Sequence, residues 1–325
     1  MRKRRWNTIG LRGLMLLVLV IGLWLGWTVR KARQQREAVK AIQNFGGHVL
    51  YDWEFVNGPG VVPPGYSVWK PSWGKFIPGR KPKVPGWLRR AIGDEYFQDI
   101  AHVSLLVNIA EGTSTWPLAN QTFADEAFRR LSTQFRVRTL QLGGEQISES
   151  NLAYVGRMSS LEELLISWGR VITDESFAHL AGLTNLRILY FSNSNLTDKG
   201  LKHLKGLHRL EILHIRGYVF SDEGLAQLRG LTHLKDLSLS YSYSLGSGAQ
   251  KITDRGLDSL CDMKDLEFLD LSGWQVTEKG LDKLRGLKNL KVLFTGDKGI
   301  SGHDLLSKEA KERLKAAMPN LKQVL

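Results

Sequence analysis

The chain has one cysteine, Cys261, among 325 residues, so an intramolecular disulfide is impossible and the count is silent on redox compartment. Cys261 falls in the helical flank of a repeat with no base suggested beside it, so a buried, inert thiol is expected. Enzyme signatures are missing too. There is no His-Glu-x-x-His, no Gly-x-Ser-x-Gly, no phosphate-binding loop and no calcium loop, which excludes the chemistries built on those motifs. No cofactor is implied. What is present is ordinary for a folded body: 42% hydrophobic and 24% charged residues, far from a disordered composition.

The net charge of +13 is unevenly placed. Residues 1–60 hold ten Lys/Arg and three Asp/Glu, residues 61–100 hold seven and three, and the last 225 hold 28 and 26. The excess is therefore +7, +4 and +2 in turn. A protein that tracks phosphates carries its basic charge on the binding face. Here the C-terminal body is nearly neutral, which argues against nucleic acid.

The basic start Met1-Arg-Lys-Arg-Arg5 precedes Gly13 to Val29, GLMLLVLVIGLWLGWTV, a run without charge. Thr8 to Leu11 lengthen it past Arg12, whose stem can snorkel. Residues 8–29 thus reach roughly the 20 residues needed to cross a hydrocarbon core. Trp24 and Trp27 sit where interfacial aromatics belong. A cleaved signal peptide would open similarly, but no small-x-small site follows, so an uncleaved single-pass anchor is expected. Basic residues flank both ends. A short basic tail stays in the cytoplasm and a long domain translocates regardless of charge, so a cytoplasmic N-terminus and an extracytoplasmic C-terminal domain are expected.

Residues 31–100 form a juxtamembrane region. Ala32 to Asn44 has an apolar side and predicts a helix stopped by Gly46-Gly47. His48 to Phe55 is rich in strand formers. Residues 57–87 carry seven of the nine prolines and read as an extended linker. Tyr66, Trp69, Trp73, Phe76 and Trp87 suit either a cap over a hydrophobic layer or, alternatively, a membrane-surface patch.

From Val137 to the C-terminus the sequence repeats. Units start at Val137, Leu161, Leu186, Leu210, Leu234, Leu266 and Leu290, with spacings of 24, 25, 24, 24, 32 and 24 residues. Apolar residues recur at positions 1, 4, 6 and 11, as in Leu186, Leu189, Phe191 and Leu196. Positions 4 and 6 alternate with polar neighbours, as in a half-buried strand. Thr173-Asp174, Thr197-Asp198, Ser221-Asp222, Thr253-Asp254 and Thr277-Glu278 then mark helix starts: the hydroxyl caps, and the acid suits the positive end of the dipole. Leucines return at helical spacing, as in Leu201, Leu204 and Leu207. Each unit is a strand, a tight turn and a short helix, and only stacking can bury its leucines. The longer fifth unit carries a Gly/Ser-rich insertion within Ser242 to Gln250, a loop suited to recognition or simply tolerated.

These units resemble the leucine-rich repeat, in its Thr-Asp-x-Gly-Leu variant. The resemblance covers residues 137–325, with residues 101–136 as a degenerate N-terminal repeat or cap containing Val103-Ser-Leu-Leu106 and Phe123-Ala-Asp-Glu126. It implies an α/β solenoid with a parallel sheet on the concave side and short helices on the convex side. It departs from many such repeats at position 9, where Glu145, Gly169, Ser194, Tyr218, Ser242, Trp274 and Lys298 replace the usual turn-bonding Asn. The whole, with residues 1–30 as basic tail and anchor, resembles membrane-anchored leucine-rich-repeat proteins of planctomycete-type bacteria. That implies binding and localisation, without naming a ligand.

In such a fold, positions 3, 5 and 7 point out of the concave sheet. The expected partner-binding residues are Ile188, Tyr190, Ile212, His214, Phe268 and Asp270, with Trp168, Tyr218, Tyr241 and Trp274 near the strand ends. Aromatic residues gathered on one solvent face invite a protein partner, or alternatively a glycan. Packing of these residues on one another across strands is the bland alternative.

His214, Ser238 and Asp270 share position 5 of successive repeats, but a triad needs histidine in the middle. Here serine is central, and the acid lies two strands, roughly 10 Å, from the imidazole. His179 and His203 stack at equivalent positions with no third metal ligand recurring. The chain therefore reads as a membrane-anchored binding module and not an enzyme. The alternatives are a ligase- or effector-associated recognition module and a structural scaffold of the cell envelope.

Overall fold

The computed structural model describes residues 11–44, 48–51, 55–56, 75–76, 87, 100–105, 121–134, 136–143, 147–167, 172–192, 195–217, 219–241, 251–295 and 306–324. Contacts divide the chain into two compact units, residues 1–41 with 51–99 and residues 42–50 with 100–325.

Helix α1 (Leu11–Asn44) opens the first unit and runs for 34 residues. The apolar run and the helix expected from Ala32 are one continuous element, because no Gly or Pro separates them after Gly26. At 1.5 Å per residue it is about 51 Å long. Residues 13–43 are long and apolar enough to cross a membrane. Thirteen large apolar side chains between Leu14 and Val29 stand exposed, whereas Ala32, Gln35 and Ala38 are buried.

The second unit is built on a ten-stranded sheet that runs β1 (His48–Tyr51), β4 (Ile100–Leu105), β5 (Thr139–Gly143), β6 (Glu163–Ser167), β7 (Ile188–Phe191), β8 (Ile212–Gly217), β9 (Asp236–Tyr241), β10 (Phe268–Asp270), β11 (Val292–Phe294) and β12 (Gln323–Val324). A separate antiparallel pair joins β2 (Phe55–Val56) to β3 (Lys75–Phe76). From β4 onward every neighbouring pair is parallel. The register holds position for position, so Leu140, Leu164, Leu189, Leu213, Leu237, Leu269 and Leu293 lie side by side. All seven are fully buried. The sheet also extends past the seven repeats read from the sequence. β4 pairs with β5, and Leu321 precedes a last strand, β12, on β11.

The return segments of the second to sixth units depart in part from the short helices expected. One α-helical turn (Asp174–Phe177, Asp198–Leu201, Asp222–Ala226) gives way to 3-10 turns such as Ala178–Gly182 and Lys202–Leu204. The fifth and sixth units use 3-10 turns alone, Gly256–Leu260 and Gly280–Gly286, whereas the first and last keep α-helices, Glu149–Val155 and Lys308–Ala317. The leucine spacing explains this. Leu201, Leu204 and Leu207 stand three apart, and three residues per turn set them in one line toward the core. All three are fully buried.

Asp174, Asp198 and Asp222 stand in the first helical turn as expected, and the acid of the Thr-Asp pairs has a further role. It accepts hydrogen bonds from the next repeat. Thr197 donates its backbone N–H (2.9 Å) and its hydroxyl (2.6 Å) to Asp174. Ser221 does the same to Asp198 (3.0 and 2.5 Å), Thr253 to Asp222 (2.8 and 2.8 Å) and Thr277 to Asp254 (2.7 and 2.6 Å). The hydroxyls also cap as expected, accepting from Lys199 N at 3.3 Å and Glu223 N at 3.2 Å. The glycine of the motif follows from this ladder. A Cβ on Gly200 would lie 2.6 Å from Asp174 Oδ1, and one on Gly224, Gly256 or Gly280 would overlap Asp198, Asp222 or Asp254. Where the acid is the longer glutamate, Glu149 or Glu278, the next repeat carries Ser176 or Ala310 in place of glycine.

A second ladder runs along position 2, where charges alternate: Arg138, Glu162, Arg187, Glu211, Lys235, Glu267, Lys291. Arg138 pairs with Glu162 at 2.8 Å and Lys291 with Glu267 at 2.5 Å. Glu211 bridges Arg187 at 2.6 Å and Lys235 at 2.8 Å. Burial pushes the Glu211 carboxyl up, but hydrogen bonds from Arg187 and Lys235 outweigh it and hold the group below the ordinary range.

Candidate interaction face

Side chains at positions 3 and 5 of the strands share one face of the sheet, and pairing sets them in rows. Position 3 runs Thr139, Glu163, Ile188, Ile212, Asp236, Phe268 and Val292. Position 5 runs Gln141, Leu165, Tyr190, His214, Ser238, Asp270 and Phe294. The face is closed at its first repeats. Thr139, Gln141 and Glu163 are buried, and Thr139 donates its hydroxyl to Glu163 at 3.0 Å. Past Leu165 it opens: Tyr190, Ile212, His214, Phe268, Asp270, Val292 and Phe294 are all partly exposed.

A cavity of about 150 Å³ lies in this open part, lined by Tyr190, Phe191, His214, Arg216, Ser238, Phe268 and Asp270. Its origin is local. β9 contributes two small residues, Ser238 and Ser240, while β8 and β10 on either side contribute larger ones. The His214 ring bridges the other two, with centroids 5.8 Å from Tyr190 and 6.5 Å from Phe268.

The polar groups of the cavity are held in place. His214 Nε2 lies 2.7 Å from Asp236 Oδ1. Ser238 donates its hydroxyl to Asp270 Oδ2 at 2.7 Å. Asp270 Oδ1 accepts from the Ser272 backbone N–H at 2.8 Å and its hydroxyl at 2.5 Å. The serine proton is thus committed to Asp270, and the imidazole to Asp236. His214, Ser238 and Asp270 do not form a proton relay.

Of the residues expected to meet a partner, the cavity gathers Tyr190, His214, Phe268 and Asp270. Ile212 lies beside them, half-buried. Two are corrected. Trp274 is buried, and its indole N–H donates to the Leu239 carbonyl at 3.0 Å. Gly273, at φ 78°, takes the left-handed conformation that swings Trp274 inward behind the strand. A position-9 side chain here ties the turn to the neighbouring repeat. Ile188 is also buried, at 6% exposure. Trp168 and Tyr218 lie outside the described residues, as do the side chain of Tyr241 and the 242–250 insertion. The sequence reading missed Arg216, which lines the cavity one alternation beyond His214. Arg216 stands at position 7, one of the outward-facing positions, opposite Ser240. Among the described residues no group of three His, Cys, Asp or Glu could hold a metal.

Residues 182–205, one complete turn of this solenoid, match the family model described as Leucine Rich repeat. The fold is leucine-rich-repeat-like. Solved leucine-rich-repeat structures similar to the chain include internalin C2 from Listeria monocytogenes, at 19% identity, covering 63% of this chain and 83% of that one with a TM-score of 0.43. An internalin (inlF) from the same organism shows 19% identity, 60% and 56% coverage and a TM-score of 0.41. The Rad7 and Elc1 complex in yeast shows 16% identity, 63% and 59% coverage and a TM-score of 0.45. The chain spans little more than half the length of those last two. No curated protein matches the sequence.

Proposed function

We propose that the chain is a membrane-anchored binding module that engages a protein partner through the concave face of its leucine-rich-repeat domain. The observation that carries this reading is the cavity that collects Tyr190, His214, Phe268 and Asp270 on one open face. Aromatic rings at such a site bury much area with little loss of side-chain freedom. A glycan is the other ligand compatible with rings and fixed polar groups, and the crosslink below separates the two by product mass. In this reading residues 1–30 are tail and anchor, with residues 8–29 crossing the bilayer. Residues 31–100 link, 101–136 cap, and 137–325 bind. The N-terminus is cytoplasmic and the repeats are outside. The exposed apolar side chains from Leu14 to Val29 support the anchor, since water would not tolerate thirteen together.

The test is a photocrosslinking amino acid at Phe268 of the full-length protein in its native membranes. A discrete protein adduct is expected, lost when Tyr190→Ala and His214→Ala are added and absent when the crosslinker replaces Lys199 on the helical side. Equal labelling from both positions would overturn the reading.

A further inference from the structure

The cavity over β9 has a chemistry of its own, and from it we propose that it receives a cationic side chain, arginine or lysine, projecting from a protein partner. The inference rests on the binding-module reading and names the group recognised.

Three observations converge. First, three rings line the cavity: Tyr190, His214 and Phe268 border a space of about 150 Å³ that one long side chain can enter. The faces of the Tyr190 and Phe268 rings carry negative charge and attract a cation lodged over them. Second, the polar end is a carboxylate fixed in orientation. Asp270 is held by Ser272 through Oδ1 and by the Ser238 hydroxyl through Oδ2. Two carboxylate oxygens offer about four acceptor positions, and these three donors leave one on Oδ2 for an incoming N–H. A charge-assisted bond to a preoriented carboxylate is stronger than a neutral one and requires no reorganisation. Third, Asp236, half-buried on the neighbouring strand, adds a second acid beside the ring cluster, with Oδ1 on His214.

The cation already at the cavity is Arg216. It lies at position 7 of β8 opposite Ser240, whereas Asp270 lies at position 5 of β10. It therefore stands diagonally across β9 from Asp270, and the incoming charge is directed to the Phe268 side. The methylene stem of the guest would run along Ile212 and Phe268, both half-buried. An anionic guest would instead have to seek Arg216 while facing Asp270 and Asp236.

The experiment uses full-length protein in detergent micelles and four capped amino acids as probes: N-acetyl-arginine methylamide, its lysine and glutamate counterparts, and methyl glucoside as the sugar control. Saturation-transfer NMR reads their binding. Arginine and lysine probes are expected to bind and the other two to be silent. Asp270→Asn, which keeps the shape of the side chain, should weaken the arginine probe about tenfold. Phe268→Leu should weaken it severalfold, and Arg216→Gln should leave it equal or tighter. Far-UV circular dichroism confirms that each variant is folded. Binding of the glutamate probe or the sugar in place of the cations overturns the proposal, as does an arginine signal indifferent to Asp270→Asn. If the crosslink at Phe268 still captures a protein while the cationic probes fail, this inference falls and the binding module stands. If the crosslink also fails, both fall.

Discussion

The carboxylate of Asp198 occupies the place where a side chain on Gly224 would begin, while it accepts two hydrogen bonds from Ser221. In four successive repeats one aspartate thus dictates two residues of the next, and the Thr-Asp-x-Gly pattern is the trace of that contact. Gly224→Ala is expected to destabilise the protein by about 1–3 kcal/mol through overlap. In the double variant Asp198→Ala with Gly224→Ala the overlap is gone, so the combined loss should be smaller than the sum of the two. Urea unfolding of the four proteins measures the coupling, and simple additivity would remove the steric account.

Asp222 has the same place one repeat later, with its side chain 11% exposed. Asp222→Ala leaves the Thr253 N–H and hydroxyl without their acceptor, and about 2 kcal/mol of stability should be lost. Hydrogen exchange should quicken first at Thr253 and Arg255, where the ladder is cut.

Acid should loosen the position-2 ladder. The Glu211 carboxyl lies below its ordinary value when folded and returns to it when unfolded. Its contribution is therefore complete above about pH 4.3 and is lost as pH falls below that. Glu126 behaves alike, pulled down to about 2 by hydrogen bonds from Arg129 and then Arg130, although it is well exposed and adds little. The urea midpoint should fall between about pH 5 and pH 3, and Glu211→Gln should flatten part of that slope. An unchanged slope would remove Glu211 from the account.

Trp274 and Phe268 are both aromatic residues of the sixth repeat, and their substitutions should separate. Trp274→Phe removes the bond to the Leu239 carbonyl and leaves a gap, for a loss of about 2 kcal/mol. It should leave crosslinking from the concave face unchanged. Phe268→Ala should abolish that crosslinking with a smaller loss of stability. A loss of crosslinking with Trp274→Phe in a protein still folded would return Trp274 to the face.

Residues 8–29 are expected to hold the full-length chain in membranes through alkaline carbonate extraction. Release into the wash would refute the anchor.

The repeat starts from Val137 to Leu290 were legible because a leucine every few residues records which side chains share the core, and that record is local. Position 9 shows where legibility stops. Trp274 carries no mark of which way it turns; the left-handed Gly273 and the distant Leu239 carbonyl decide it. The alternating charges from Arg138 to Lys291 were visible only after the units were aligned, since each partner lies about a repeat away.

What the sequence by itself determined is the period, the parallel stacking that follows from it and the apolar rod from Gly13 to Val29, all of which arise from the spacing of side chains along the chain. Only the tertiary structure decided which outward strand positions stay open, that small serines on β9 leave a cavity between larger neighbours, and that the aspartates bind the following repeat. These depend on contacts between residues some 23 to 35 positions apart, whose meeting is fixed by stacking and register.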